Sequence, residues 1–373
     1  MPFQLTEVRL QGYRLPFVRP LLTAGGPIAA REGVVMWLRD GTGRWGVGEA
    51  APLPGFGMEP LAETRRLLEA WARALPGRTC RPPARPGPDT PPALGLVEPP
   101  AAAPAALHGL ECALLDLAAQ HAGLPLADYL APGAARQVAV NALLGAAPPA
   151  DLARTAAERA AAGYGTLKLK LTGRDEPDVE AVAAVRAAVG AAVRLRLDAN
   201  GAWSEPQAAA MLARLAPLDI EYVEQPLPAA EVEALARLAA TSPIALAADE
   251  SARTAGEVRR LLALRAAAVV VLKPMALGGP LATLALARLA AARGVPAVVT
   301  TTLDAAFART AALHVAAVLA GGESAGASAR AHGLATGDLL AGDLAPGVPG
   351  VVRGRLTVPR EAGLGRIAPP PET

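Results

Sequence analysis

Residues 166–171 read TLKLKL. Polar and apolar side chains alternate through the run, which is the period-two signature of a β-strand. Leu167, Leu169 and Leu171 fall on one face; Lys168 and Lys170 share the other. The leucines suit packing under helices. The two ammonium groups then point together into whatever the other face encloses.

Lysine is scarce in this chain. Lys and Arg together number 36, and Lys168, Lys170 and Lys273 are the three lysines, so 33 of these residues are arginine. A composition rich in arginine and alanine accounts for the scarcity but not for the positions. Lys273 also closes an apolar run, VVVLK at 269–273. Arginine does not give up its proton in a protein. A lysine is tuned toward neutrality by burial or by nearby cations. The three lysines are therefore candidates for acid–base work, with a snorkelling or salt-bridged structural lysine as the alternative.

The pattern around TLKLKL repeats. VAVNALLG (138–145), VRLRLDAN (193–200), IEYVEQP (220–226), IALAADES (244–251), AVVVLKP (268–274) and PAVVTTT (296–302) are short apolar runs ending in polar residues or turn formers. Ala/Leu/Arg/Glu-rich segments with helical spacing lie between them. Strands that are apolar on both faces and alternate with helices predict a parallel sheet.

The spacing narrows the choice of sheet. Lys170 to Asp198 is 28 residues, Asp198 to Glu224 is 26, Glu224 to Asp249 is 25 and Asp249 to Lys273 is 24. Each interval matches one β-α unit, and each charged residue closes a strand. In a β/α barrel these five positions converge on the C-terminal face, where barrel enzymes build their sites. A doubly wound open sheet is the alternative, and it gathers successive strand ends less well.

Three carboxylates, Asp198, Glu224 and Asp249, would then crowd together beside the lysines. Like charges cannot share a dry pocket unpaired. A divalent cation is the natural neutraliser, and all-oxygen ligation favours Mg2+ or Mn2+ over zinc. Taken singly, each carboxylate also suits a helix cap or a strand-end salt bridge.

With these residues in place, the chain resembles the enolase superfamily, in its muconate-cycloisomerase-like subgroup. The resemblance rests on KLK (168–170), the Asp of LDANGAW (197–203), the Glu of VEQP (223–226), the Asp of ADES (248–251) and the Lys of LKP (272–274). It implies an α/β fold of enolase type: an N-terminal α+β capping domain and a modified TIM barrel, (β/α)7β. It implies metal ligands at Asp198, Glu224 and Asp249, an acid–base pair at Lys170 and Lys273, and an auxiliary lysine at Lys168. Asn200 and Glu250 are expected to support the ligands. Gly55, Phe56, Thr301 and Thr302 are expected at the substrate, although Phe56 suits packing on its own domain equally well. The cofactor implied is Mg2+, with Mn2+ as the substitute, and the substrate is a small carboxylate.

The N-terminal third reads differently. FQLTEVRLQGYRL (3–15), GVVMWLRD (33–40) and WGVGEAAP (45–52) predict an antiparallel meander, followed by helices over 58–75 and 105–123. A proline-rich connection at 76–104 cannot be regular helix. We expect a capping domain over 1–132 and a barrel over 133–350. The C-terminal segment 351–373 is expected to return to the capping domain as a strand. RPLLTAGGPIAAREG (19–33) and PLPGFGM (52–58) are expected as loops closing over the barrel mouth. Such lids exclude water and set specificity.

Within the subgroup, GEAAPLPGFG, LECALLDLAAQ, VNALLG and HGLATGDLLAGDL resemble the o-succinylbenzoate synthases of menaquinone synthesis. That branch implies a dehydration in which Lys170 takes the proton α to a carboxylate and returns it to the departing hydroxyl. Lys273 would remain charged against the ring of the intermediate. The same five residues also resemble those of the N-acylamino acid racemases, which are the alternative. A non-catalytic barrel that binds a small carboxylate is the alternative of another class. Dipeptide epimerases of the subgroup usually carry an Asp-x-Asp pair where this chain has Asp304 and Ala306. None of His108, His121, His314 and His332 is expected to close a strand, and His314 reads as a helix-packing residue.

Composition supports exclusions. A formal net charge of +2 gives no basic stripe for nucleic acid. No apolar run is long enough to predict a membrane span, and the N-terminus does not read as a signal peptide. Two cysteines, Cys80 and Cys112, form no disulfide framework and fit a reducing cytoplasm. Homo-oligomerisation is compatible with all of this.

Overall fold

The structure, a computed structural model, describes residues 2–23, 26–100, 102–321 and 330–365, with the backbone alone for residues 21–23. The N-terminal third contains β1 (Phe3–Thr23), β2 (Gly26–Asp40), β3 (Trp45–Ala50), α1 (Leu61–Ala74), β4 (Thr79–Cys80), α2 (Pro104–Ala122) and α3 (Leu126–Leu130). Its strands form an antiparallel sheet in the order β3-β2-β1-β4. Helix α2 lies directly on β3. A Cβ at Gly48 would stand 1.8 Å from the Gly109 carbonyl oxygen, and one at Gly46 would stand 2.3 Å from that of Ala113. Only glycine permits that approach.

The segment 19–33, expected as a loop, is instead the outer part of a long hairpin. Strand β1 runs on to Thr23, and β2 starts at Gly26. Pro16 pairs with Ala30 and Leu21 with Ile28, with a register shift between the two pairs. That irregularity accommodates Pro16 and Pro20, which have no N–H for the ladder. The same prolines hide the strand from a periodicity reading. Residues Ala24 and Gly25 lie outside the described set.

The rest of the chain alternates strand and helix: β5 (Gln137–Ala139), β6 (Ala142–Leu144), α4 (Pro149–Ala161), β7 (Thr166–Lys170), α5 (Asp175–Val189), β8 (Arg194–Asp198), α6 (Glu205–Leu215), β9 (Ile220–Glu224), α7 (Val232–Thr241), β10 (Leu246–Ala248), α8 (Ala255–Leu264), β11 (Val269–Leu272), α9 (Pro274–Leu277), α10 (Pro280–Ala291), β12 (Ala297–Val299), α11 (Ala306–Gly321) and β13 (Arg355–Thr357). Strands β6 to β12 pair in strict sequence order as a seven-stranded parallel sheet. Sequential order without a reversal is barrel topology, which removes the open-sheet alternative.

A short segment after α11 closes the ring. His332 forms a parallel bridge to Val140, and Gly333 forms one to Thr300. His332 thus sits in an isolated bridge outside the named strands. The His332 Nδ1 accepts from the Val299 amide at 2.9 Å. Burial, aided by the Arg196 charge, lowers its pKa to about 3, so the ring is a neutral structural acceptor.

The leucines of TLKLKL and RLRLD behave as their alternation requires: Leu167, Leu169, Leu195 and Leu197 are buried in the main core. Each contributes about 1.5–3 kcal/mol by leaving water. The C-terminal return is split between two places. Strand β13 pairs with β5, not with the antiparallel sheet. Further on, Gly363 and Leu364 do reach the α2–α3 region. The Leu126 amide donates to the Gly363 carbonyl at 2.7 Å, and the Leu364 amide donates to Asp116 Oδ1 at 2.9 Å. Residues 366–373 of that segment lie outside the described set.

Candidate active site

Register brings the charged strand ends side by side. Lys170 on β7 is opposite Asp198 on β8, and Asp198 is opposite Glu224 on β9. Glu224 is paired with Ala247 on β10, two residues before Asp249. Lys273 follows β11 directly. The carboxylates are almost fully buried: Asp198 is 2% exposed, Glu224 1% and Asp249 5%.

Ammonium groups answer part of this charge. Lys168 Nζ lies 2.6 Å from Glu224 Oε1 and 2.9 Å from Asp198 Oδ2. Lys273 Nζ donates to Asp249 Oδ1. Burial and the neighbouring Asp198 and Asp249 together push Glu224 up to about 8, against the pull of Lys168 and Lys273. Burial works against ionisation of Asp249 as well, yet Lys273 and Lys168 hold its carboxyl below the ordinary value. Lys168 is driven the other way. Burial opposes its charge, but Asp198, Glu224 and Asp249 raise its pKa well above the usual lysine value. Lys168 is thus held between Asp198 and Glu224 as their shared ion-pair partner.

Lys170 stands apart from the carboxylates. Its Nζ donates to Asn200 Oδ1 at 3.1 Å, and Asn200 Nδ2 donates to Glu250 Oε1 at 3.0 Å. Asn200 sits at φ 46°, the left-handed conformation that asparagine tolerates better than most residues. That turn lets its amide lie between Lys170 and Glu250. Sequence reasoning missed Gln225. Its Oε1 accepts from the Asp249 and Ser251 amides at 3.1 Å, and its Nε2 donates to Ser251 Oγ at 2.8 Å. Gln225 therefore fixes the turn that presents Asp249. The signal was available in VEQP, where a polar residue precedes a proline at a strand end.

The donor set fits a hard divalent cation. Among the described residues, no three His, Cys, Asp or Glu side chains are already gathered into a coordination sphere. Lys168 and Lys273 stand against the carboxylates instead. Even so, three buried carboxylates on adjacent strand ends offer oxygen ligation only. An oxygen of a fourth carboxylate nearby, Glu250 Oε2, is buried without a hydrogen-bond partner among the described residues. Burial and Asp249 raise the Glu250 pKa. Buried negative charge that two ammonium groups leave incompletely paired is what a bound cation would complete.

From the other side, the turn after β3 reaches the barrel mouth. Gly55, at φ 82°, makes the bend, and the Phe56 ring centre lies 4.3 Å from Lys273 Nζ. Thr301 and Thr302 are buried and engaged within the protein. The Thr301 hydroxyl pairs with that of Thr336 at 2.9 Å, and the Thr302 hydroxyl donates to Asp304 Oδ1 at 2.5 Å. His314 bridges α11 to α3 and the C-terminal segment, accepting from the Ala127 amide and contacting the Leu364 carbonyl.

The profile named Enolase C-terminal domain-like matches residues 151–367. The chain belongs to the enolase superfamily. MenC, N-terminal domain, matches residues 5–86. The hydrophobic dipeptide epimerase of Enterococcus faecalis is 31% identical over 232 residues, 62% of this chain and 63% of that protein. The o-succinylbenzoate synthase of Thermobifida fusca is 38% identical over 185 residues, 49% of this chain and 56% of that protein. These sequence matches span less than two thirds of either relative. The structure of the Enterococcus faecalis V583 dipeptide epimerase complexed with Mg and L-Leu-L-Tyr superposes with a TM-score of 0.84 at 27% identity. It covers 97% of this chain and 99% of that one. The enolase-like fold that the resemblance implied is therefore shown, while the superfamily relatives divide between a lyase and isomerases. Among the described residues, no helix is long and apolar enough to cross a membrane.

Proposed function

We propose that this protein removes the proton α to a carboxylate, with Mg2+ as cofactor, and that it is an o-succinylbenzoate synthase. The substrate on this reading is 2-succinyl-6-hydroxy-2,4-cyclohexadiene-1-carboxylate. The observation that carries the proposal is the placement of Lys170, Asp198, Glu224, Asp249 and Lys273 on five consecutive strand ends. Mg2+ held by Asp198, Glu224 and Asp249 would supply positive charge beside the substrate carboxylate.

The chain's own residues do the rest. Lys170 takes the α proton, and the C–H electron pair passes toward the carboxylate. Lys168 adds fixed positive charge where negative charge develops. The hydroxyl then leaves with the C–O electron pair, and Lys170 Nζ returns the proton to it. Water and the aromatic carboxylate are the products, so protons and electrons balance. Lys273 remains an ammonium group facing the ring, and Phe56 covers it. Asn200 orients Lys170 through their hydrogen bond.

Two observations support the synthase branch over dipeptide epimerisation. The N-terminal match is to MenC. The second acid of an Asp-x-Asp pair is absent, since position 306 is alanine. The remaining Asp304 is 1% exposed and lies 3.7 Å from Arg31, so it is not presented to a substrate ammonium. The second reading is an N-acylamino acid racemase, favoured by the epimerases among the relatives. Lys273 would then deliver a proton to the opposite face.

The test is turnover of the cyclohexadiene substrate followed by absorbance, with Mg2+ and then with chelator. N-succinyl amino acids in deuterium oxide are assayed in parallel. Metal-dependent dehydration with little α exchange supports the synthase. Comparable exchange favours the racemase, and neither activity leaves a binding barrel. Lys170→Arg is expected to abolish turnover while the fold survives.

A further inference from the structure

We propose that Arg31 is a positioning residue that holds the Phe56 loop over Lys273 by tying that loop's root to the barrel turn after β12. The inference rests on reading Lys273 as an active-site lysine. Arg31 projects from β2 and is 2% exposed. Its Nη1 donates to the Pro52 carbonyl at 2.9 Å, and its Nη2 donates to that of Ala51. Ala51 and Pro52 begin the loop that carries Phe56.

The same guanidinium faces the barrel. Its Nη2 lies 3.4 Å from Thr302 Oγ1 and 3.7 Å from Asp304 Oδ1. Thr302 and Asp304 flank Leu303, a non-glycine residue at φ 61°. A left-handed leucine persists only where its surroundings hold it. Here the Thr302 hydroxyl, Asp304 and Arg31 do so from one side. Glu49 does so from another, accepting from the Ala305 and Ala308 amides at 2.9 and 3.0 Å. One side chain thus joins the root of the lid loop to the turn at the end of a barrel strand.

Arg31 is a poor device for stability alone. Its Nε is buried with no hydrogen-bond partner among the described residues. A buried cation with an unmet donor is costly compared with an apolar side chain of similar volume. The planar fork gives geometry instead: two carbonyls of one segment and a carboxylate of another are held at fixed relative positions. A lysine keeps the charge, but its single Nζ cannot span all three.

Arg31→Lys tests this by amide hydrogen exchange on the full chain. Exchange in 53–58 and in 301–305 is expected to become about tenfold faster, with α1 and α2 unchanged. Unchanged exchange in 53–58, or acceleration throughout the chain, would overturn the proposal. Turnover gives a second readout through a double-mutant cycle with Phe56→Leu. The Arg31→Lys loss in kcat/KM is expected to shrink severalfold or more in the Phe56→Leu background. An equal loss in both backgrounds counts against coupling through Phe56. If the parent chain turns over neither substrate class, the functional reading fails, and the exchange data alone decide the role of Arg31. Should Arg31→Lys not fold, Asp304→Asn removes the facing charge and is read on the same amides.

Discussion

The centre of the Phe56 ring lies 4.3 Å from Nζ of Lys273. Phe56 belongs to the loop that follows β3 of the antiparallel sheet, and Lys273 directly follows a barrel strand. The contact joins the two parts of the chain at the mouth of the site. On the synthase reading a substrate ring would meet this same ammonium group with Phe56 beside it. A cation–π contact of this kind is worth about 0.5–2 kcal/mol.

Phe56→Ala is therefore expected to raise KM about tenfold. The melting temperature should change little, because Phe56 sits on a loop and not in the core. Steady-state kinetics and a thermal melt check this. An unchanged KM would remove Phe56 from the substrate pocket.

Lys168→Met leaves Asp198 and Glu224 buried without their shared ammonium partner. We expect the metal-free protein to lose about 3–5 kcal/mol. Mg2+ should then raise Tm more in the variant than in the parent, since the variant leaves more buried negative charge for the cation to neutralise. Calorimetry with and without Mg2+ checks both parts. An equal or smaller Mg2+ shift would argue against a common site.

Glu111 makes a pH prediction. It lies on α2 and accepts from the Leu281 amide at the start of α10 at 2.9 Å and from the Ala93 amide at 3.0 Å. Burial raises its pKa from 4.5 to about 7, against those two hydrogen bonds. A carboxyl whose folded pKa is raised contributes stability below its unfolded pKa and loses it as pH rises through the folded value. Between pH 4.5 and about 7 the contribution should fall by on the order of 3 kcal/mol. Denaturation of the parent and of Glu111→Gln across that range isolates it. Parallel pH profiles would refute it.

The thiols should be silent. Cys80 and Cys112 are both buried. Burial pushes Cys80 up to about 12 and Cys112 well above the usual thiol range. Thiolate is the reactive form. A disulfide reagent at pH 8 should label neither in the native protein and both after denaturation. Labelling of the native protein at either position would contradict the burial.

Much of the barrel was legible in local signals. Alternation placed Lys168 and Lys170 on one face of a strand. A spacing close to one β-α unit put Asp198, Glu224, Asp249 and Lys273 at successive strand ends. The outer part of the hairpin, within residues 19–33, was not legible as strand, because Pro16 and Pro20 break its periodicity. The closure of the ring through His332 was not legible either, because it consists of single bridges between distant residues.

The sequence by itself determined the order of strands and helices, the faces they bury and the chemical types at their ends. These follow from backbone period and burial, which act within about 30 residues. Tertiary structure decided which charges meet. Lys168 stands between Asp198 and Glu224, Lys273 holds Asp249 beneath Phe56, and Arg31 spans from Ala51 to Asp304. Arg31 and Asp304 are 273 positions apart in the chain. Nothing local links them, and only the docking of the antiparallel sheet on the barrel mouth sets such pairs within reach.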